Sequence, residues 1–169
     1  GTNSTGTLYG IFCSTMNNSN LTISNNTVSV TSASTTSTMF GINYGNGSAG
    51  TSNTINILNN TVQNCSYPTA TTGTMYNLYC NSTCYNLLIS GNRLIANTYG
   101  SATSTGTTVY SLYNLNQAIN SITITNNLDS GNVVLGTTSY STYRMYSSIT
   151  SNNSNITGNR VRNNVICGT

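Results

Sequence analysis

The stretch Asn20–Val28, NLTISNNTV, returns in altered form four more times: NTINILNNTV at 53–62, NLLISGNRL at 86–94, NSITITNNL at 120–128 and NSNITGNRV at 153–161. Each copy alternates polar and apolar residues and then reaches an Asn. These are Asn26, Asn60, Asn92, Asn127 and Asn159, with successive separations of 34, 32, 35 and 32 residues. Self-similarity at a fixed period of this length marks a solenoid or an array, in which each unit buries its apolar face only against its neighbours.

Upstream of each copy lies an aromatic segment: LYGIFC (8–13), MFGINY (39–44), MYNLYC (75–80), VYSLYN (109–114) and TYRMYS (142–147). Alternation by two places Ile11, Ile42, Leu78, Leu112 and Met145 in one column, apolar in every unit, which is assigned to the core. The column Gly10, Gly41, Asn77, Ser111, Arg144 is small or polar and is assigned outward. The same alternation sends Leu8, Met39, Met75 and Val109 outward. With Phe12, Tyr79, Tyr113 and Tyr146 they would form an apolar and aromatic stripe of the kind that marks a partner surface. In the second segment Leu21 and Ile23, Ile55 and Ile57, Leu87 and Ile89, and Ile122 and Ile124 point inward, whereas the fifth unit has Ser154 before Ile156.

Helical repeats need apolar residues three and four apart; here the spacing is two, the residues are β-branched or aromatic, and Gly and Asn punctuate the segments. A β-sandwich would not set like residues in like columns at a long period. A parallel β-solenoid does, because each coil stacks about 4.8 Å above the last and the inner columns fuse into one core. The expected fold is therefore all-β: one solenoid over residues 1–169, with about five coils of 32–36 residues. Stacked Asn side chains would form a hydrogen-bonded ladder. Asn, and the Gly91 and Gly158 beside two of the ladder positions, suit the left-handed backbone of a sharp corner.

NLTISNNTV-type segments following YGIF-type segments in all five units resemble the right-handed parallel β-helix repeats of secreted bacterial proteins. The T-G-T-x-Y-G-I run at 5–11 looks particularly like repeat arrays in very large surface or extracellular proteins, such as the adhesins of gliding and biofilm-forming bacteria. The resemblance implies a right-handed β-helix, an extracellular or cell-surface location, and a structural role in a fibre or adhesin. The partners it implies are neighbouring coils or subunits stacked head to tail, and surface glycans.

Composition narrows the chemistry. Charged residues make up 3% of the chain, with four basic residues against one acid and a net charge of +3. An ordinary globular protein carries roughly 25%. Four Arg along the chain are too sparse to read as a phosphate-binding stripe, so no nucleic-acid partner is expected. No apolar run is long enough for membrane insertion. The enzymes of the β-helix family cleave polysaccharides, and glycoside hydrolysis usually needs two carboxylates. Only Asp129 is present, and it reads as an Asn replacement in an exposed turn. A nucleophilic triad needs a His or Lys base, and the chain has neither. Catalysis, metal and cofactor are not expected.

Of the five cysteines, Cys80 and Cys84 flank a polar turn and are a candidate disulfide, with burial as small hydrophobes the alternative. Cys13 and Cys167, near opposite ends, are candidates for contact between neighbouring units. N-x-S/T sequons occur ten times, about the number that chance supplies in so Asn-, Ser- and Thr-rich a chain, and those at Asn3, Asn17, Asn20, Asn46, Asn81 and Asn152 are candidate glycosylation acceptors. The pairs Thr5/Thr7, Thr36/Thr38, Thr72/Thr74 and Thr105/Thr107 support an alternative function, ice binding by Thr-x-Thr columns. Apolar residues continue in strand-like order to Ile166 with no charged or Pro guard, so each end is expected to run on into another coil.

Overall fold

A computed structural model describes residues 6–14, 18–45, 52–81, 83–106, 108–115, 117–136 and 141–168. Asn3, Thr5, Asn17, Asn46 and Thr107 lie outside the described residues, and Cys167 is placed only by its backbone. Every element among the described residues is a strand. They form four sheets in which each strand pairs in parallel with its counterpart from the next unit. The longest sheet stacks Leu8–Ser14, Thr38–Gly45, Thr74–Asn81, Thr108–Asn114 and Ser141–Ser147. The second sheet holds Leu21–Ser24, Thr54–Leu58, Thr83–Ser90, Gln117–Thr125 and Asn153–Thr157. The third contains Thr27–Val28, Thr61–Gln63, Arg93–Ile95, Leu128–Ser130 and Arg160–Arg162. A fourth has four strands: Ser66–Tyr67, Thr98–Tyr99, Val133–Gly136 and Val165–Gly168. This is a parallel β-solenoid. It makes about four turns rather than five, because four steps carry the chain from the first to the last strand of the long sheet.

The apolar columns meet along the axis. Ile42, Leu78 and Leu112 from the long sheet, Ile57 and Ile89 from the second, Val62 and Leu94 from the third, and Tyr67 and Tyr99 from the fourth are at most 1% exposed. Burying a side chain of this size contributes about 1.5–3 kcal/mol. The two core tyrosines meet edge to face at 5.4 Å. Tyr67 donates its hydroxyl proton to Ser37 O at 2.7 Å, and Tyr99 donates to Gly73 O. A buried phenol thus keeps its polar end paired.

The long sheet departs from simple alternation. Asn77 and Leu78 are adjacent, yet both are buried, as are Ser111 and Leu112. Pairing is interrupted at Gly10, Gly41, Asn77, Ser111 and Arg144 in every layer and resumes one residue later. A bend repeated in each layer turns two successive residues inward. That corrects two assignments. The column containing Asn77 faces inward, and so does the column of Met39, Met75 and Val109, which are 1–3% exposed. Gly41 marks how tight the bend is: a Cβ there would lie 2.5 Å from both Val62 Cγ1 and Asn77 O.

Candidate functional site

The corner after the second sheet is built on the repeated Asn. Asn26 donates its backbone N–H and its Nδ2 proton to Asn60 Oδ1 at 3.0 and 2.9 Å. Asn60 does the same to Asn92, Asn92 to Asn127, and Asn127 to Asn159, all at 2.9–3.0 Å. Each amide also reaches back across the corner: Asn60 donates to Ile23 O, Asn92 to Ile57 O, Asn127 to Ile89 O and Asn159 to Ile124 O. The left-handed residue is not the rung itself but the one before it: Asn25, Asn59, Gly91, Asn126 and Gly158, with φ between 53° and 68°. That conformation favours Asn and Gly, and turning the chain there aims the following side chain inward.

A second ladder stands five residues further on. Cys65 N–H donates to Asn97 Oδ1, Asn97 N–H to Asn132 Oδ1, and Asn132 N–H to Asn164 Oδ1, at 2.8–2.9 Å. Its left-handed residues are Asn64, Ala96, Gly131 and Asn163. Sequence reasoning missed it. The constant offset from the first ladder was the available signal, but Cys65 in the first rung breaks the run of Asn.

The outer face of the long sheet is aromatic in two columns. Tyr9, Phe40, Tyr76, Tyr110 and Tyr143 stack ring on ring, with centroids 4.8–5.0 Å apart and planes within 8°. Tyr79, Tyr113 and Tyr146 form the second stack at 5.1–5.3 Å. Phe12 shares their column but is separated from Tyr79 by Asn43, and its ring, 53% exposed, lies against Tyr9 at 4.4 Å. Edge-to-face contacts such as Tyr76–Tyr79 at 4.8 Å join the columns. Because the ring faces cover one another, mainly edges and hydroxyls reach solvent. The rings at the ends of the first stack, Tyr9 and Tyr143, and the ring of Phe12 remain 40–53% exposed. Burial first, then the neighbouring tyrosines, push the Tyr76, Tyr110 and Tyr113 phenols above their ordinary range.

Asp129 is not in an exposed turn. It pairs with Leu94 and Val161 in the inward column of the third sheet and is fully buried. Leu128, one residue earlier, faces outward between Arg93 and Arg160. Ser111 donates its hydroxyl proton to Asp129 Oδ1 at 3.0 Å, and Asn132 Nδ2 donates to the same oxygen. Asn164 Nδ2 reaches Oδ2 at 3.3 Å. Arg144 Nε lies 3.9 Å from Oδ2, an ion pair without a hydrogen bond, and its three guanidinium nitrogens are buried with no hydrogen-bond partner. Burial pushes the Asp129 carboxyl up to about 6, against the opposing pull of Arg144 and the three hydrogen bonds.

Cys80 and Cys84 are free thiols, not a disulfide. Both point into the core at 0% exposure: Cys80 sits in the column of Tyr44 and Asn114, Cys84 in that of Ala118. Burial raises both thiols, Cys84 to about 11. Cys13 is free and half-buried. Of the sequon residues, Asn20, Asn81 and Asn152 are exposed, although Asn81 Nδ2 donates to Tyr79 Oη at 2.9 Å. Of the paired Thr, Thr38 and Thr74 lie on strands in one column, Thr36 and Thr72 fall in the bend before them, and Thr7 and Thr105 lie outside any strand; in the fourth unit the aligned strand position is taken by Thr108, which follows the pair. Among the described residues no three His, Cys, Asp or Glu side chains gather as metal ligands.

Stacked coils, two side-chain amide ladders and a parallel sheet on each of four sides define a β-solenoid repeat protein. Comparison with protein-family models, with curated proteins and with solved structures returned no match.

Proposed function

We propose that this chain is a non-catalytic structural module of an extracellular fibre or cell-surface adhesin, and that its coils continue end to end into those of a neighbour. The observation that carries the reading is the polarity of the Asn ladder. Each rung donates its N–H to the Oδ1 of the next. Asn159 therefore ends the stack as a donor, and Asn26 begins it with an Oδ1 of the kind that accepts from a preceding rung. The two ends are complementary to each other, and a head-to-tail contact of that sort propagates as a filament rather than closing as a dimer.

Apolar side chains add to this. Ile156, Val161 and Ile166 occupy core columns of the last coil, yet are 49–51% exposed. One further coil, from the same polypeptide or a second copy, would bury them. Catalysis finds little to work with, since the single carboxylate is buried and held by four neighbours. An ice-binding face would need paired Thr on each strand, and the position of Thr36 and Thr72 in the preceding bend weighs against it.

Electron microscopy of the purified chain tests the reading. Rods that lengthen with protein concentration are expected, and the double substitution Ile156→Asp with Ile166→Asp should leave only short particles. Short particles at every concentration from the unsubstituted chain would refute end-to-end stacking.

A further inference from the structure

The fold collects charges that the sequence scatters. Of the four basic residues, Arg144 is committed to Asp129, the chain's one acid. The other three, which equal the whole net charge of +3, stand together on the outer face of the third sheet. Arg93 and Arg160 share an outward column two layers apart with Leu128 between them, and Arg162 lies two residues along the same strand as Arg160. The layer spacing puts the Arg93 and Arg160 backbones about 9.6 Å apart, and two strand residues span about 6.6 Å. All three are exposed, and with Asn126, Asn127, Leu128 and Gly158 they line an open hollow of about 290 Å³. The one side-chain carboxylate of the sequence, Asp129, pairs with Arg144 instead.

We propose that this hollow binds an acidic polysaccharide, through its carboxylate or sulfate groups. The guanidinium fork pairs with planar or tetrahedral oxyanions through two hydrogen bonds. The exposed Asn126 supplies a neutral polar group of the kind that hydrogen-bonds sugar hydroxyls, while the Asn127 amide stays engaged in the ladder. Single-stranded nucleic acid is disfavoured because its binding sites pair cations with aromatic platforms, and no aromatic ring lines this hollow. The proposal does not depend on end-to-end stacking, since the patch lies on a side face.

The test is calorimetric titration of the full chain at low salt with heparin, polygalacturonate, neutral dextran and single-stranded DNA. A parallel titration uses the triple variant Arg93→Gln, Arg160→Gln, Arg162→Gln. All three sites are exposed, so an unchanged thermal melt is expected; if the triple variant does not fold, Arg162→Gln alone serves. Binding to heparin, polygalacturonate or both is expected, lost with rising salt and weakened about tenfold or more in the triple variant. Preference between the two glycans tells sulfate from carboxylate. No binding to either, equal affinity of parent and variant, or tighter binding to DNA than to both glycans overturns the proposal. Sedimentation of the same samples reports stacking separately.

Discussion

The middle coils and the last coil share one template, yet their burial differs sharply. Ile57, Ile89 and Ile124 occupy a single column with Ile156, paired strand to strand. The first three are 0–3% exposed and Ile156 is 51% exposed. In the third sheet Val62 and Leu94 are 0% exposed while Val161 is 49% exposed. Between Leu112, Ile124, Met145 and Ile156 a hollow of about 250 Å³ remains open where the middle coils are filled. The repeat sets where each side chain points, but burial comes from the coil above. Stability in such a stack is the sum of weak coils and strong interfaces.

The comparison can be broken most forcefully in the isoleucine column. Ile89→Asp would strand a charge in the core and should cost more than about 4 kcal/mol, whereas Ile156→Asp should cost the dilute monomer about 1 kcal/mol or less. Urea titration of both variants measures the difference, and equal losses would contradict it.

The ladder gives the next largest contrast. Asn92→Ala removes the acceptor used by Asn60 and the donor to Ile57 O and Asn127 Oδ1, leaving several buried groups unpaired. At about 1–3 kcal/mol for each unsatisfied group, a loss near 3 kcal/mol is expected. Asn159→Ala, at the end rung, should lose about half as much, and the same titration checks it.

The Asp129 cluster, which joins the fourth coil to the last, makes the comparison pH-dependent. The carboxyl titrates at about 6 when folded, against 3.8 for the ordinary group. The folded state therefore holds the proton more tightly, so stability is highest below about pH 4 and falls as pH rises towards 6. The total is on the order of 2–3 kcal/mol. The facing groups are Arg144, Ser111, Asn132 and Asn164, of which only Arg144 is charged. Thermal melts from pH 3.5 to 7.5 should show Tm dropping with pH, and Asp129→Asn should flatten the profile.

The smallest effect belongs to Ala96, which holds φ 54° where the equivalent residues are Asn64, Gly131 and Asn163. Ala96→Gly should raise stability by about 0.5–1 kcal/mol, read as a Tm increase, because the strain at a left-handed Ala outweighs the added chain entropy.

Much of this was legible in the sequence, for a physical reason. Columns in a stack repeat like residues, so Asn26 to Asn159 and Ile23 to Ile156 declare themselves by period alone. What stayed hidden depends on faces that meet across the coil. The bend at Asn77 follows from the third sheet packing against the long one, and two-residue alternation cannot register it. Asp129 reads as an exposed-turn residue because a lone acid beside the apolar Leu128 gives no sign of pointing inward, and only its pairing with Leu94 fixes the register. Arg93 and Arg160 are distant in the chain, and their convergence needs the coil length of both intervening turns.

Amide hydrogen exchange at the ladder rungs tests the central claim, that a neighbouring coil supplies the missing burial. The Asn92 and Asn127 N–H groups, each bonded to the next rung, should exchange in the slowest class at every protein concentration. The Asn159 N–H should exchange orders of magnitude faster in dilute solution and slow markedly as the protein is concentrated. An Asn159 amide as protected as Asn92 when dilute, or indifferent to concentration, would contradict the account.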